Sequence, residues 1–447
     1  MSALESVIRN IILFEREGPE RYHHVYVVSA FSGVTDLLLE SKKTGKPGVY
    51  HRIAKHHDFH DALENVGASL KKINKSQAGL GLDVTLADWF VEMRLNRAKV
   101  YLDNLVNILA SGYVSKEGIL LAAREILASI GESHSAFNLT NILQRMGFNT
   151  SLIDLSGIDD HRPLTIDQRI KQAFKDRELH NRICIVTGYT KGKDGIMREF
   201  DRGYSEVTFS KIAALLKPAE AIIHKEYHLS TADPAIVGVD NCVPVGFTNY
   251  DIADQLADVG MEAIHPKAAK PLEIAGINLR IKNTFEPGHP GTLITNDFVC
   301  EHKRVEVITG SDRFLMIDVY DPLMIGAVGS DLKLMQVFFK YNISYTFKST
   351  SANSISLIIW ERDFNIQLIK ELNAAFEKIT VEKVALVCVL GSNMDQPGLL
   401  ARSASALSER NINIKSAGIA LRKVNIQFLV EREHFKEAII ALNSAMK

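Results

Sequence analysis

Residues Val25–Leu38 read VYVVSAFSGVTDLL, and the order of residue types in this stretch decides the class of fold. Val25–Val28 is a short β-rich run, Ser29-Ala-Phe-Ser-Gly33 is a loop of mostly small residues, and a helix is predicted from Val34. A strand that passes through such a loop into a helix belongs to α/β architecture. Upstream, Ser2-Ala-Leu-Glu5 matches a capping box, and Leu4, Val7, Ile8, Ile11 and Ile12 form a helical stripe that Gly18-Pro19 ends. Downstream, residues 50–150 read as mostly helical. One helix is predicted over Asp88–Ser111, stopping at Gly112, and another ending near Gly131-Glu132. Strands then alternate with helices again at Cys184–Thr187, Ala221–His224 and Leu279–Lys282.

Beyond residue 304 the pattern repeats. Gly329 and Asn342-Ile-Ser344 recur 69 residues later as Gly398 and Asn411-Ile-Asn413, and a strand at Ser354–Ile358 recurs as Asn425–Leu429. Each copy reads as a small βαββαβ module, an antiparallel sheet with helices on one face. The division expected is a catalytic α/β domain over 1–300, a first module over 304–375 and a second over 380–447. Neither module shows evident catalytic residues, so the pair suits sensing or assembly.

Composition narrows the function. The 447 residues carry a formal net charge of −1, which removes an electrostatic case for nucleic acid or an anionic membrane surface. Four cysteines lie far apart with no C-x-x-C pair, as expected of reduced thiols in a cytoplasmic protein. Apolar runs such as Val384–Leu390 fall well short of the ~20 residues of a membrane helix. No basic region precedes an apolar core at the start, so no signal peptide is expected.

Charged and small residues gather at strand or helix ends in Ser29–Thr35, Gly131-Glu132, Arg202–Glu206 and Lys225–Asp233. α/β proteins hold their ligands at such places. In FDRGYSEVTFSKIAALL (Phe200–Leu216), Ser205 reads as a helix cap, and the helix mouth as a place for an anionic ligand. Lys282 is a lysine within an apolar strand pattern. Basic and acidic groups together, without a Cys/His cluster, suit a zwitterionic substrate and a phosphate-bearing one. His51, His56, His57 and His60 include i, i+4 pairs but lack a matching acid box, and no metal site is expected there. Gly188–Gly195 lacks the P-loop pattern and reads as a hairpin turn.

The ordered motifs VVSAFSGVTDLL, IGESHSA, VTGY…FDRGYSE, HKEYHLSTADPAIVG and MEAIHPKAAKPLEIAGINLRIKNTFEPGHPGTLI resemble those of the aspartate kinases. The resemblance spans nearly the whole chain and implies an amino-acid-kinase-type three-layer αβα domain followed by two ACT-like modules. RGYSE, KTGKPGVY and the short HLSTADP loop resemble the ectoine-pathway branch. The implied reaction is phosphoryl transfer from Mg2+-ATP to the side-chain carboxylate of L-aspartate. By the same resemblance, Arg202 grips the substrate α-carboxylate and Glu132 receives its α-ammonium. Ser29 and Thr35 lie near its side chain, while Ser205 and Glu206 follow the arginine. Lys225, Glu226 and Asp233 fall in the nucleotide-binding segment, and Lys282 matches a lysine near the phosphates. Arg202, Glu206 and Lys282 are the catalytic candidates.

Family members open with a strand carrying K-x-G-G-T-S, and Met1-Ser2 stands where that motif would have ended. Little activity is expected of the chain as written, and more once such a segment is restored. Two competing readings are a non-catalytic amino-acid-binding regulator and a kinase for another amino acid such as glutamate. A homo-oligomer through the C-terminal modules is expected, because small sheets leave edges that pair.

Overall fold

The computed structural model describes every residue except 1–3, 42–43, 201–202, 262–263, 420 and 447, with the side chain of Glu199 also outside the description. The chain divides into two compact units. The first comprises residues 1–221, 267–277 and 283–289; the second comprises 222–266, 278–282 and 290–447.

The first unit is built on a parallel sheet of β1 (His24–Val28), β2 (Thr150–Ile153) and β3 (Ile183–Thr187), in the order β1-β3-β2. Ile183–Thr187 is buried at every position, as a central parallel strand covered on both faces must be. Cys184 and Val186 pack with Ile170, Phe174 and Ile212 from the helices Ile166–Phe174 and Tyr204–Leu216. Ile183 and Ile185, pointing the other way, are equally buried, and the helix Lys116–Arg145 packs against this strand. Helix, sheet and helix form three layers. The opening helix is Leu4–Val7, continued by a wider turn over Ile8–Ile12; Ser2, the proposed cap, lies outside the described residues.

Two expectations change here. The helix predicted to stop near Gly131-Glu132 runs on to Arg145. Gly131 is not a terminator: a Cβ there would lie 2.9 Å from Ala30 Cβ and 3.0 Å from Val34 Cγ1, so the absent side chain lets the helix close on the β1 loop. Residues 188–195 do not form a hairpin; they link β3 to the short helix Ile196–Glu199. The helical region 50–150 is otherwise as read, with Val84–Ser111 ended by Gly112 at φ 74°.

The second unit holds a four-stranded sheet, β4 (Ala221–Lys225), β5 (Phe247–Asn249), β6 (Leu279–Asn283) and β7 (Thr292–Thr295), in the order β4-β6-β7-β5. It also holds a six-stranded antiparallel sheet: β8 (Val307–Tyr320), β9 (Phe347–Thr350), β10 (Ser354–Trp360), β11 (Lys378–Leu390), β12 (Ile414–Ile419) and β13 (Asn425–Glu431). The repeat is visible in the backbone. Gly329 and Gly398 precede equivalent helices at φ 93° and 83°, and Asn342 and Asn411 adopt φ 53° and 55°. Asparagine tolerates this left-handed conformation where most residues do not.

The copies are interlocked. β8 and β11 pair along nearly their whole lengths, so residues 378–384 of β11 supply the first copy's fourth strand. Residues 307–311 of β8 do the same for the second. Each copy has its own helix-covered core, one around Leu357 and Leu372, the other around Phe428 and Leu442.

Candidate active site

Glu132 lies in the interior of the helix Lys116–Arg145 and is 2% exposed. Its Oε1 accepts a 2.6 Å hydrogen bond from Ser205 Oγ, and its Oε2 is buried with no hydrogen-bond partner among the described residues. Burial pushes the Glu132 carboxyl up to about 8 against the downward pull of the Ser205 bond. The chain makes room for this carboxylate at Gly188, where a Cβ would stand 2.7 Å from Glu132 Oε2 and 2.7 Å from Ser205 Cβ.

Ser205 is not the helix cap expected from sequence. The Tyr204–Leu216 helix is entered through Gly203 at φ 74° with no side-chain cap, which leaves the Ser205 hydroxyl for Glu132. Thr35 sits in the helix Val34–Leu38 and hydrogen-bonds the buried Tyr204 hydroxyl. Ser29 follows β1 and is exposed, and its carbonyl accepts a 2.8 Å bond from Ser135 Oγ of the Glu132 helix. Glu206 stands in the first turn of its helix. The structure therefore brings Ser29, Thr35, Glu132, Ser205 and Glu206 into one neighbourhood of the first unit. Arg202 lies outside the described residues.

The remaining candidates belong to the second unit. Lys225 ends β4 and Glu226 follows it, while Lys282 lies on the neighbouring strand β6. Asp233 caps the helix Pro234–Val237, its Oδ1 accepting from Ala235 N at 2.8 Å, and is otherwise exposed. Elsewhere, His60 of the histidine group bonds Asp58 at 2.6 Å and Asp103 at 2.9 Å, and His51 approaches Glu40 at 3.4 Å.

Sequence reading missed Glu125. Two turns before Glu132 on the same helix, it accepts from Tyr189 Oη at 2.5 Å and from Met197 N at 2.6 Å. Desolvation raises its carboxyl, opposed by Tyr189 and by the backbone N–H groups of Met197 and Ile196. The i, i+7 spacing of Glu125 and Glu132 was its only sequence signal.

The sequence model of the amino acid kinase family matches residues 1–283, and that of an ACT domain matches residues 387–446. Aspartate kinase Ask_Ect of Stutzerimonas stutzeri is 41% identical over an alignment of 453 positions, which covers 100% of this chain and 95% of that protein. Aspartokinase 2, chloroplastic, of Arabidopsis thaliana is 26% identical, with 99% and 81% of the two chains covered. Among solved structures, E. coli aspartokinase III in complex with aspartate and ADP matches with a TM-score of 0.71 at 18% identity, covering 95% of this chain and 93% of that one. Clostridium acetobutylicum aspartate kinase matches at 0.70 and 21%, over 95% and 93%. These two matches show the fold; the full-length match to Ask_Ect shows the family and disfavours the non-catalytic reading. The chain belongs to the amino acid kinase family, and within it to the aspartate kinases.

Proposed function

We propose that Glu132 receives the α-ammonium of L-aspartate, whose side-chain carboxylate then takes the γ-phosphoryl group of ATP to give 4-phospho-L-aspartate. The observation that carries this reading is the buried Oε2 of Glu132, which has no hydrogen-bond partner among the described residues. A buried carboxylate without a cation costs several kcal/mol, and an ammonium ion removes that cost. Arg202, by its place in the family motif, pairs with the α-carboxylate through two parallel N–H···O bonds. Ser29 and Thr35 border the substrate side chain, and Ser205 holds Glu132 in orientation. Glu206 and Lys282 attend the transferring group, and Lys225, Glu226 and Asp233 hold the nucleotide.

The acceptor carboxylate is already a nucleophile, so no covalent enzyme intermediate is needed. The protein's work is in-line placement and neutralisation of charge on the phosphoryl group. Glu226 and the exposed Asp233 are hard oxygen donors of the kind that hold Mg2+ beside phosphate oxygens. The ion, when bound, neutralises phosphate charge.

The Ask_Ect name and the RGYSE segment support ectoine synthesis as the pathway served. Among the described residues no helix is long and apolar enough to cross a membrane, in keeping with the cytoplasmic location we propose. Exposed Leu323, Ile325, Val328, Leu332 and Phe339 support a homodimer formed through the C-terminal modules, whose boundaries we place at 304–375 and 380–447. Light scattering tests this, and a monomer at micromolar concentration refutes it. The reaction is tested by trapping the acyl phosphate with hydroxylamine. ATP- and aspartate-dependent hydroxamate is expected, with little from glutamate. Absence of any aspartate-dependent product refutes the proposal.

A further inference from the structure

We infer that Glu125 and Tyr189 are positioning residues for the amino-acid substrate, holding the 189–197 segment against the Tyr204–Leu216 helix in the register that joins Ser205 to Glu132. The inference rests on the reading of Glu132 as the ammonium acceptor.

Two donors converge on the one buried carboxylate, both from the segment 189–197: Tyr189 Oη at 2.5 Å and Met197 N at 2.6 Å. The loop is shaped to admit it. Gly195 adopts φ 82°, and a Cβ at that position would stand 2.6 Å from Glu125 Oε1. Tyr189 is 2% exposed, and its ring packs edge-on against Tyr204, whose hydroxyl bonds Thr35. At the loop's start, Gly188 N donates to Val28 O at 2.9 Å, and Thr190 meets Thr208 of the following helix at 2.9 Å.

Glu125 and Glu132 are separated by seven residues, about 10.5 Å of helix rise, with only ~20° between their directions. One rigid helix thus carries both the group that grips the 189–197 segment and the group that Ser205, on the helix packed against that segment, must reach. With Glu125 seated, Ser205 arrives at Glu132 Oε1; without it, the 189–197 segment loses its shared acceptor. Both Glu125 oxygens are taken up by Tyr189 and Met197, so its effect is on placement. A displacement of about 1 Å at a reacting group costs up to ~100-fold.

The test compares Glu125→Met, Glu125→Gln, Tyr189→Phe and Glu132→Gln, each measured for aspartate and ATP KM and for aspartate binding by calorimetry. Glu125→Met keeps the side-chain length and removes both acceptor oxygens. Glu125→Gln keeps an oxygen for Met197 N and lets the Tyr189 hydroxyl turn to accept. The expected result is a rise of at least about tenfold in aspartate KM and Kd for Glu125→Met, and about three- to tenfold for Tyr189→Phe. Glu125→Gln returns to within about threefold of the parent, and ATP KM stays within about twofold throughout. A purely structural role would lower Tm or raise both KM values together, and either result without a selective loss of aspartate affinity overturns the inference. Should Glu125→Met not fold, Tyr189→Phe decides the matter, since it deletes a single oxygen. If Glu132→Gln loses aspartate binding while Glu125→Met and Tyr189→Phe do not, only this inference fails. If Glu132→Gln binds aspartate normally, the underlying reading of the site fails instead.

Discussion

Glu132→Gln changes one buried atom and separates charge from shape. Glutamine keeps an oxygen for the Ser205 hydroxyl, now 2.6 Å from Oε1, and puts a neutral amide where Oε2 stands beside Gly188. Truncating one side of a buried charge pair costs about 2–4 kcal/mol of binding, which is ~30- to ~700-fold in aspartate affinity. Folding stability should move the other way. The carboxyl, at about 8 in the folded chain against 4.5 when exposed, keeps its proton in the native state over a range where the unfolded state has lost it. Stability therefore falls as pH rises from 4.5 to 8 and levels off above, by at most about 5 kcal/mol. The glutamine variant should lose this dependence and unfold at a higher temperature than the parent at pH 8.5. In the parent at pH 7, aspartate binding should expel the Glu132 proton, so the calorimetric enthalpy should vary with the ionisation enthalpy of the buffer; in the variant it should not. Equal aspartate affinity of the two forms would refute the ammonium assignment. Buffer-independent enthalpy in the parent would refute the protonated resting state.

Gly188→Ala should abolish measurable aspartate binding while leaving secondary structure intact by circular dichroism, because its Cβ would collide with both Glu132 Oε2 and Ser205. His134, 1% exposed, is held down to about 3 by burial, against 6.5 when exposed. The unfolded state alone takes up a proton between those values, so stability is lost as pH falls from 6.5 toward 3. His134→Gln should flatten the decline of Tm over that window. Asn342→Ala and Asn411→Ala should each lower stability by about 1–2 kcal/mol, read as a drop in denaturation midpoint, because alanine is disfavoured at φ 53° and 55°. Replacement of either asparagine by glycine should cost much less.

Strands were legible where β-branched residues run between turn-forming ones: Val25–Val28, Cys184–Thr187, Ala221–His224 and Leu279–Lys282 each fall within a residue of an observed strand. The repeat was legible because two backbone conformations, left-handed at Gly329/Gly398 and at Asn342/Asn411, admit few residue types. The helix through Glu132 was misread because Gly131, Ser133 and Ser135 mimic a helix end. Ser133 turns its hydroxyl back onto the Ser129 carbonyl and Ser135 reaches Ser29 O, so these small polar residues are satisfied within a continuing helix. Glu125 carried no motif, since its partners are a tyrosine and a backbone amide far along the chain. The interlocking of β8 with β11 depends on pairings roughly seventy residues apart, which local patterns do not encode.

A site that works by placement needs a rigid carrier for its carboxylates, and the other face of the Glu132 helix supplies one. His134 is two residues from Glu132, about 200° around the helix. Its Nε2 lies 2.6 Å from Asn74 Oδ1; Asn138, one turn on, donates to Asn74 at 2.8 Å and to Gln77 at 2.9 Å; Asn74 in turn donates to Asp88 at 2.8 Å. These bonds tie the helix to its neighbours His60–Ser76 and Val84–Ser111, with Phe137 stacked on Phe90 at 4.2 Å. Buried amide and imidazole bonds fix rotation and axial register more sharply than apolar contact, because each has a narrow angular optimum and an unmade one is costly. His134 also meets Phe31 edge-on at 5.3 Å, within the loop that carries Ser29. The same helix thus holds the Ser29 loop through its imidazole, the 189–197 loop through Glu125 and the Ser205 helix through Glu132. A slip of one element along this helix would misalign all three, and the buried polar network resists that slip.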